Sequence, residues 1–212
     1  MNHPDNHHLN PRQHWDRVYS SKSPTQQSWF CPHLDTSLAF IRRAAPDLST
    51  PILDVGAGDS TLADDLLAAG YTNLTLVDIS KHALEHTRAR LGGAAAYVTF
   101  LAADLLTDAL PPQHFGLWHD RAVFHFLTSP VDRAAYISHA TRALRPGAHI
   151  ILATFSPGGP TKCSGLPVQR HNADSIVRTF GPRFRLTHAA NELHTTPSGA
   201  TQPFLYCDLV LS

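Results

Sequence analysis

The sequence predicts an α/β protein, a seven-stranded, mostly parallel sheet with helices on both faces and an antiparallel C-terminal strand pair. Three observations carry that expectation. From Pro51 to Phe155, short apolar runs alternate with helical segments, which is the pattern of parallel βαβ units. The first two helices of that stretch each stop at glycine, Gly70 and Gly92. After Phe155 the alternation ends, and a Gly/Pro-rich loop and one helix lead into two long strand-like runs in succession.

Each element can be read in order. Leu34, Leu38 and Ile41 recur at helical spacing. PILDVG is a short apolar run ending at glycine, a buried strand. TLADDLLAAG is a helix with Ser60 as its N-cap. NLTLVDIS, YVTFLAAD and FGLWHD are the next strands, with the helix KHALEHTRARL after the first of them. Asp132 to Leu144 is helical, Pro146-Gly147 punctuates, and AHIILATF is the fifth strand. SPGGPTKCSGLPVQR reads as a loop, ADSIVRTF as a helix, and FRLTHAANELH with QPFLYCDLVLS as the closing pair. The expected organisation is a disordered tail over 1–10 and a single domain over 11–212. Within it lie an N-terminal lid with helices over 11–45, a ligand-binding core over 51–155, and an acceptor loop with closing strands over 156–212.

Composition narrows the classes. Lys and Arg (17) balance Asp and Glu (17), so no electrostatic footprint for nucleic acid or an anionic membrane is visible. No apolar run approaches the roughly 20 residues of a membrane span, and the first residues lack the apolar core of a secretory signal. Cys31, Cys163 and Cys207 are odd in number and far apart, which fits a reducing cytoplasm. The 15 histidines show no metal-binding spacing, so no metal is expected.

The most informative segment is LDVGAGDS followed by LVDIS. A strand delivers Asp54, and Gly56 and Gly58 then allow a tight turn with close approach of backbone to a ligand. Asp78 ends the next strand about 20 residues on, where a carboxylate can take two ribose hydroxyls. Asp104 ends the third strand and can accept from an adenine amino group. Taken singly, Asp54 fits a solvated strand end and Asp78 a helix cap; their joint placement is what points to a ligand. GAGDST lacks the third glycine of a dinucleotide fingerprint, which weakens but does not remove a nicotinamide reading.

These segments resemble class I S-adenosylmethionine-dependent methyltransferases, which have a Rossmann-like sheet. HWDRVY, SWF and LDVGAGDSTLADDLLAAGYTNLTLVDIS resemble the elongation-factor lysine methyltransferase group and its bacterial relatives. That resemblance implies S-adenosylmethionine as cofactor, with S-adenosylhomocysteine as product. It implies cofactor contacts from Trp15, Tyr19 and Trp29 as a closing lid, from Gly56, from Asp78 and Ile79, and from Asp104 and Leu105. Read as residues alone, Trp15 and Tyr19 at i, i+4 also fit one face of a helix packed on the core. The stretch WHDRAVFHFL is similar to the lysine-methylating group and also to thiopurine methyltransferase, whose acceptors are sulfur or selenium species.

The acceptor is expected beside the end of the fourth strand, with Asp120, Arg121 and His125 as catalytic candidates and Arg121 also touching cofactor. If Asp120 faces the pocket, strand alternation turns His119 away. His125 is the candidate proton acceptor, with a buried structural histidine as the competing reading. Lys162, Cys163 and Arg170 in the following loop, and Gln202 and Phe204 before the last strand, are candidate walls. The favoured function is S-methylation of a small thiol or sulfide by a cytoplasmic monomer or homodimer, without nucleic acid or membrane partners. A protein lysine N-methyltransferase and a cofactor-binding pseudoenzyme stand as alternatives.

Overall fold

A computed structural model describes residues 10–21 and 23–212. The expected tail lies almost wholly outside the described residues. The helices are α1 Pro11–Ser21, α2 Asp35–Ala44, α3 Leu62–Ala68, α4 Lys81–Leu91, α5 Pro130–Ala143 and α6 Ala173–Phe180. The strands are β1 Ile52–Val55, β2 Leu74–Asp78, β3 Val98–Ala102, β4 Phe115–Arg121, β5 Leu144–Phe155, β6 Lys162–Cys163, β7 Leu166–Pro167, β8 Phe184–Thr195 and β9 Thr201–Leu211. Seven of the strands form one sheet in the order β3-β2-β1-β4-β5-β9-β8. The first five are parallel, and β9 and β8 add antiparallel at one edge.

Local chemistry accounts for the boundaries. Ser80, Ser129 and Asn172 cap α4, α5 and α6 with side-chain oxygens, and Pro130 supplies the preset first turn of α5. Gly92 and Gly181 end α4 and α6 at positive φ. The cap of α3 is Thr61, although Ser60 Oγ still accepts from the Leu62 amide at 3.2 Å. β5 starts at Leu144, not after Pro146-Gly147. The proline is tolerated there because the register with β4 shifts between Phe115 and Leu117. The Gly/Pro-rich segment contains the β6–β7 hairpin, turned by Ser164 and Gly165 at φ of 49° and 80°.

Alternation along the central strands builds a core on each face. Ile41, Leu62, Leu66, Leu117 and Ile151 pack on the side of α2 and α3. Trp118, Tyr136, Ile150, Ile176 and Phe180 pack on the side of α5 and α6. Strand order reverses between β1 and β4, and ligand sites of such sheets open at the carboxyl ends there. Among the described residues no helix is long and apolar enough to cross a membrane.

Candidate functional site

At that reversal lies a cavity of about 300 Å³. Trp15, Tyr19, Trp29, Gly56, Asp78, Ile79, Asp104, Leu105 and Arg121 all line it, so the structure brings most of the sequence candidates together. Asp54 lines a smaller cavity that shares Trp29, Gly56 and Arg121 with the first.

Gly56 and Gly58 have φ of 58° and 53°. A Cβ at Gly56 would run into Val123 Cγ2, and one at Gly58 into the Tyr19 hydroxyl. Only glycine lets the lid and the β4 turn approach this loop so closely. Asp78 is buried, yet it lines the cavity. Its Oδ2 accepts from the Gly58 amide at 2.9 Å and its Oδ1 from the Ser80 amide at 2.7 Å. Each oxygen retains a lone pair for hydroxyl donors of a ligand. Burial outweighs these two amides and lifts the carboxyl to about 7.

The segment expected to act as a lid comprises α1 and the residues after it. Arg12 donates to the Ile79 carbonyl at 2.7 Å, and Ser80 Oγ donates to Asp16 at 2.6 Å. Trp15 then meets Tyr19, Trp29 and Phe126 with ring centroids 6.1, 6.1 and 5.1 Å away. Gln27 donates to Asp59 at 2.9 Å, and His194 holds the Ser28 carbonyl at 2.9 Å. Phe126, Arg12, Asp16 and Gln27 were not among the sequence candidates. Only Phe126 left a usable signal, as an aromatic residue just beyond Arg121.

The end of β4 departs from expectation. Asp120 is wholly buried and does not line the cavity. Its carboxylate accepts from the Val123 and Phe124 amides at 3.0 and 3.3 Å and from the Tyr136 hydroxyl at 2.6 Å. Alternation turns it toward α5, where Tyr136 also accepts from Trp118 at 2.8 Å. Burial raises the Asp120 carboxyl to about 6 against those hydrogen bonds. Asp120 therefore folds the turn that holds Ala122 at φ of 72° and presses Val123 toward Gly56. His119 faces the Arg121 side instead, bonded to Asp54 and Ser37.

His125 is also fully buried and outside the cavity, stacked on Phe155 at 4.4 Å with neither ring nitrogen hydrogen-bonded. Burial first, then His171 and Arg121, push its imidazole down to about 3. This placement removes it as the proton acceptor. Arg121 does reach the site. Its Nη1 donates to the Trp29 carbonyl at 3.0 Å, its Nη2 lies 3.8 Å from Glu192, and its guanidinium sits 4.7 Å from the Phe204 ring centre. Its Nε has no partner. From the following loop, Cys163 and Leu166 line the cavity. Lys162 is exposed, and Arg170 staples the loop to the carbonyls of Pro157 and Gly159. Gln202 pairs in register with His194, and Phe204 lies beneath Arg121; neither lines the cavity.

A family model described as "Methyltransferase domain" matches residues 52–147. The chain is 21% identical over 215 residues to the mouse (Mus musculus) protein named eEF1A lysine and N-terminal methyltransferase. That match covers 92% of this chain and 30% of the relative, so the chain spans less than a third of the mouse protein. A solved structure described as "Conversion of a Disulfide Bond into a Thioacetal Group during Echinomycin Biosynthesis" superposes with a TM-score of 0.75 at 20% identity. It covers 93% of this chain and 90% of that one. The Burkholderia thailandensis 1,6-didemethyltoxoflavin-N1-methyltransferase, solved with 1,6-didemethyltoxoflavin and S-adenosylhomocysteine, superposes at 0.66 with 15% identity, covering 92% and 81%.

Proposed function

We propose that the chain is a class I S-adenosylmethionine-dependent methyltransferase and that it methylates the sulfur of a small thiol or sulfide. The observation that carries this reading is the charge at the end of β4. Arg121 enters both cavities with an unpaired Nε, while Asp120 spends its carboxylate on the other face of the sheet. A neighbouring cation lowers a thiol's pKa from about 8.5 and holds the thiolate. The same cation opposes a protonated lysine, whose reference pKa is about 10.4. Among the described residues no histidine lines the main cavity, and a thiol ionises without a dedicated base more readily than an amine does.

S-adenosylmethionine supplies, when bound, a methyl carbon on a sulfonium sulfur that a nucleophile displaces in line. In this reading Asp78 accepts ribose hydroxyls on its remaining lone pairs, and Asp104 accepts from the adenine amino group. Ile79 and Leu105 wall the base. Trp15, Tyr19, Trp29 and Phe126 exclude water and provide aromatic surface that attracts a sulfonium. Cys163 and Leu166 bound the acceptor, and Arg121 orients it. The echinomycin-pathway structure is named for a conversion at sulfur, which supports this acceptor class, whereas the mouse relative's name supports lysine. We place the reaction in the cytoplasm, where low-molecular-weight thiols stay reduced.

Purified protein with methyl-labelled S-adenosylmethionine, offered a panel of small thiols beside a cell lysate, tests the proposal. Label is expected in small thioethers. The rate should rise with pH to an inflection below that of the free thiol, and Arg121→Met should move the inflection upward and slow the reaction at neutral pH. Label confined to one protein band would establish the lysine reading instead, and no transfer at all would leave a cofactor-binding protein without turnover.

A further inference from the structure

Asp54 and His119 stand directly in register on the parallel strands β1 and β4. They share one face of the sheet, and His119 Nδ1 lies 2.7 Å from Asp54 Oδ1. On the far side of the ring, Nε2 is 2.9 Å from Ser37 Oγ of α2. Ser37 Oγ is in turn 3.1 Å from the Tyr206 hydroxyl of β9. Four elements thus contribute one continuous buried chain, in which Asp54 is 4% exposed, His119 and Tyr206 1%, and Ser37 not at all.

The direction of the bonds follows from donor chemistry. An ionised carboxylate only accepts, so Nδ1 carries the proton toward Asp54. In the neutral ring Nε2 then accepts from Ser37, and Ser37 accepts from Tyr206. Both ring nitrogens are satisfied, in contrast to those of His125. Such a chain leaves the imidazole one orientation, and so leaves the carboxylate one orientation too.

Asp54 also lines the smaller cavity, which holds Arg121 as its cation and Asp59 as a second acid. An acid and a cation in one small chamber suit a zwitterionic α-amino-acid group. The cofactor carries such a group at the end opposite its adenine. We propose that His119 is a positioning residue: its Nδ1–H pins one oxygen of Asp54, so that the other is presented to the α-ammonium group of the bound cofactor, while Ser37 and Tyr206 fix the ring.

Two ligands separate this role from general damage. S-adenosylhomocysteine carries the ammonium and carboxylate, and 5′-methylthioadenosine shares the nucleoside and sulfur but lacks both. In calorimetric titrations of the purified protein, His119→Leu is expected to weaken S-adenosylhomocysteine about tenfold or more while 5′-methylthioadenosine stays within about twofold. His119→Asn, whose amide N–H can replace Nδ1–H, should recover most of the loss. Ser37→Ala should give a smaller loss with the same selectivity, and it carries the test if His119→Leu does not fold. Equal weakening of both ligands, no weakening of either, or His119→Asn behaving like His119→Leu overturns the proposal. A wild-type protein that binds neither ligand overturns it together with the cofactor reading on which it rests.

Discussion

Asp78 is expected to tie ligand binding to pH. Its carboxyl sits near 7 because burial opposes the charge. A group raised in the folded state favours folding at low pH, and that contribution fades as pH rises from the ordinary carboxylate range through about 7. Hydroxyl donors from a ligand favour the ionised form, so binding should release a proton. S-adenosylhomocysteine affinity is expected to rise with pH up to about 7 and then level off, as measured by calorimetry in buffers of different ionisation enthalpy. Asp78→Asn should weaken binding by about 1.5–3 kcal/mol and flatten that profile. His125 has the opposite sign, because burial lowers it to about 3. Stability should therefore fall as pH drops below the imidazole's ordinary value of about 6.5 and toward 3. His125→Phe removes two unpaired buried nitrogens and should leave stability at neutral pH unchanged or raise it by about 1 kcal/mol. Denaturation at pH 4.5 and 7.5 measures both effects, and a large loss of methyl transfer in this variant would return His125 to the reaction.

At the scale of elements, α1 touches the ligand loops by side chains, not by a broad apolar face. Arg12 holds Ile79, Asp16 holds Ser80, and Tyr19 closes on Gly58. The partners belong to the same loops that present Asp78 and the glycines, so lid and cofactor should order each other. Deletion of residues 1–21 is expected to leave the sheet folded by circular dichroism and to weaken S-adenosylhomocysteine at least about tenfold. In the intact protein, protease cleavage within α1 should slow when that ligand is added. Cleavage that is equally fast with and without it would mean that α1 is simply a packed terminal helix.

Across the whole molecule, the antiparallel β9–β8 pair completes the sheet that carries the site. Asp208 of β9 bridges to β5 through His149 Nδ1 at 2.7 Å and to α2 through Arg43 at 3.2 Å. Burial alone would raise this carboxyl, but hydrogen bonds from His149, Thr187 and Arg43 draw it below its ordinary value. Its stabilisation is present at neutral pH and is lost as acid titrates it through that lowered value. Asp208→Asn should cost about 1–3 kcal/mol at pH 7, with little difference from wild type once acid has protonated the wild-type carboxyl. Melting temperatures read across pH check this, and the site should stay intact in the folded variant because Asp208 lines neither cavity.

Strand–helix alternation, the glycine loop and the acids at three successive strand ends were legible in the sequence, because each depends on local periodicity or on a residue type that one backbone geometry demands. Asp54, Gly56, Asp78 and Asp104 belong to that class. The direction of β4's last side chains was not legible. Asp120 and His119 differ by one step of a two-residue period, and it takes Tyr136 on one side of the sheet and Ser37 on the other to settle which way the strand is rotated. The same holds for the lid, since Arg12, Asp16 and Gln27 act on partners more than 30 positions away in the chain. The sequence by itself determined the fold class and the residues of the glycine loop. Tertiary packing decided which face each strand-end side chain takes, because that rotation depends on partners distant in the chain.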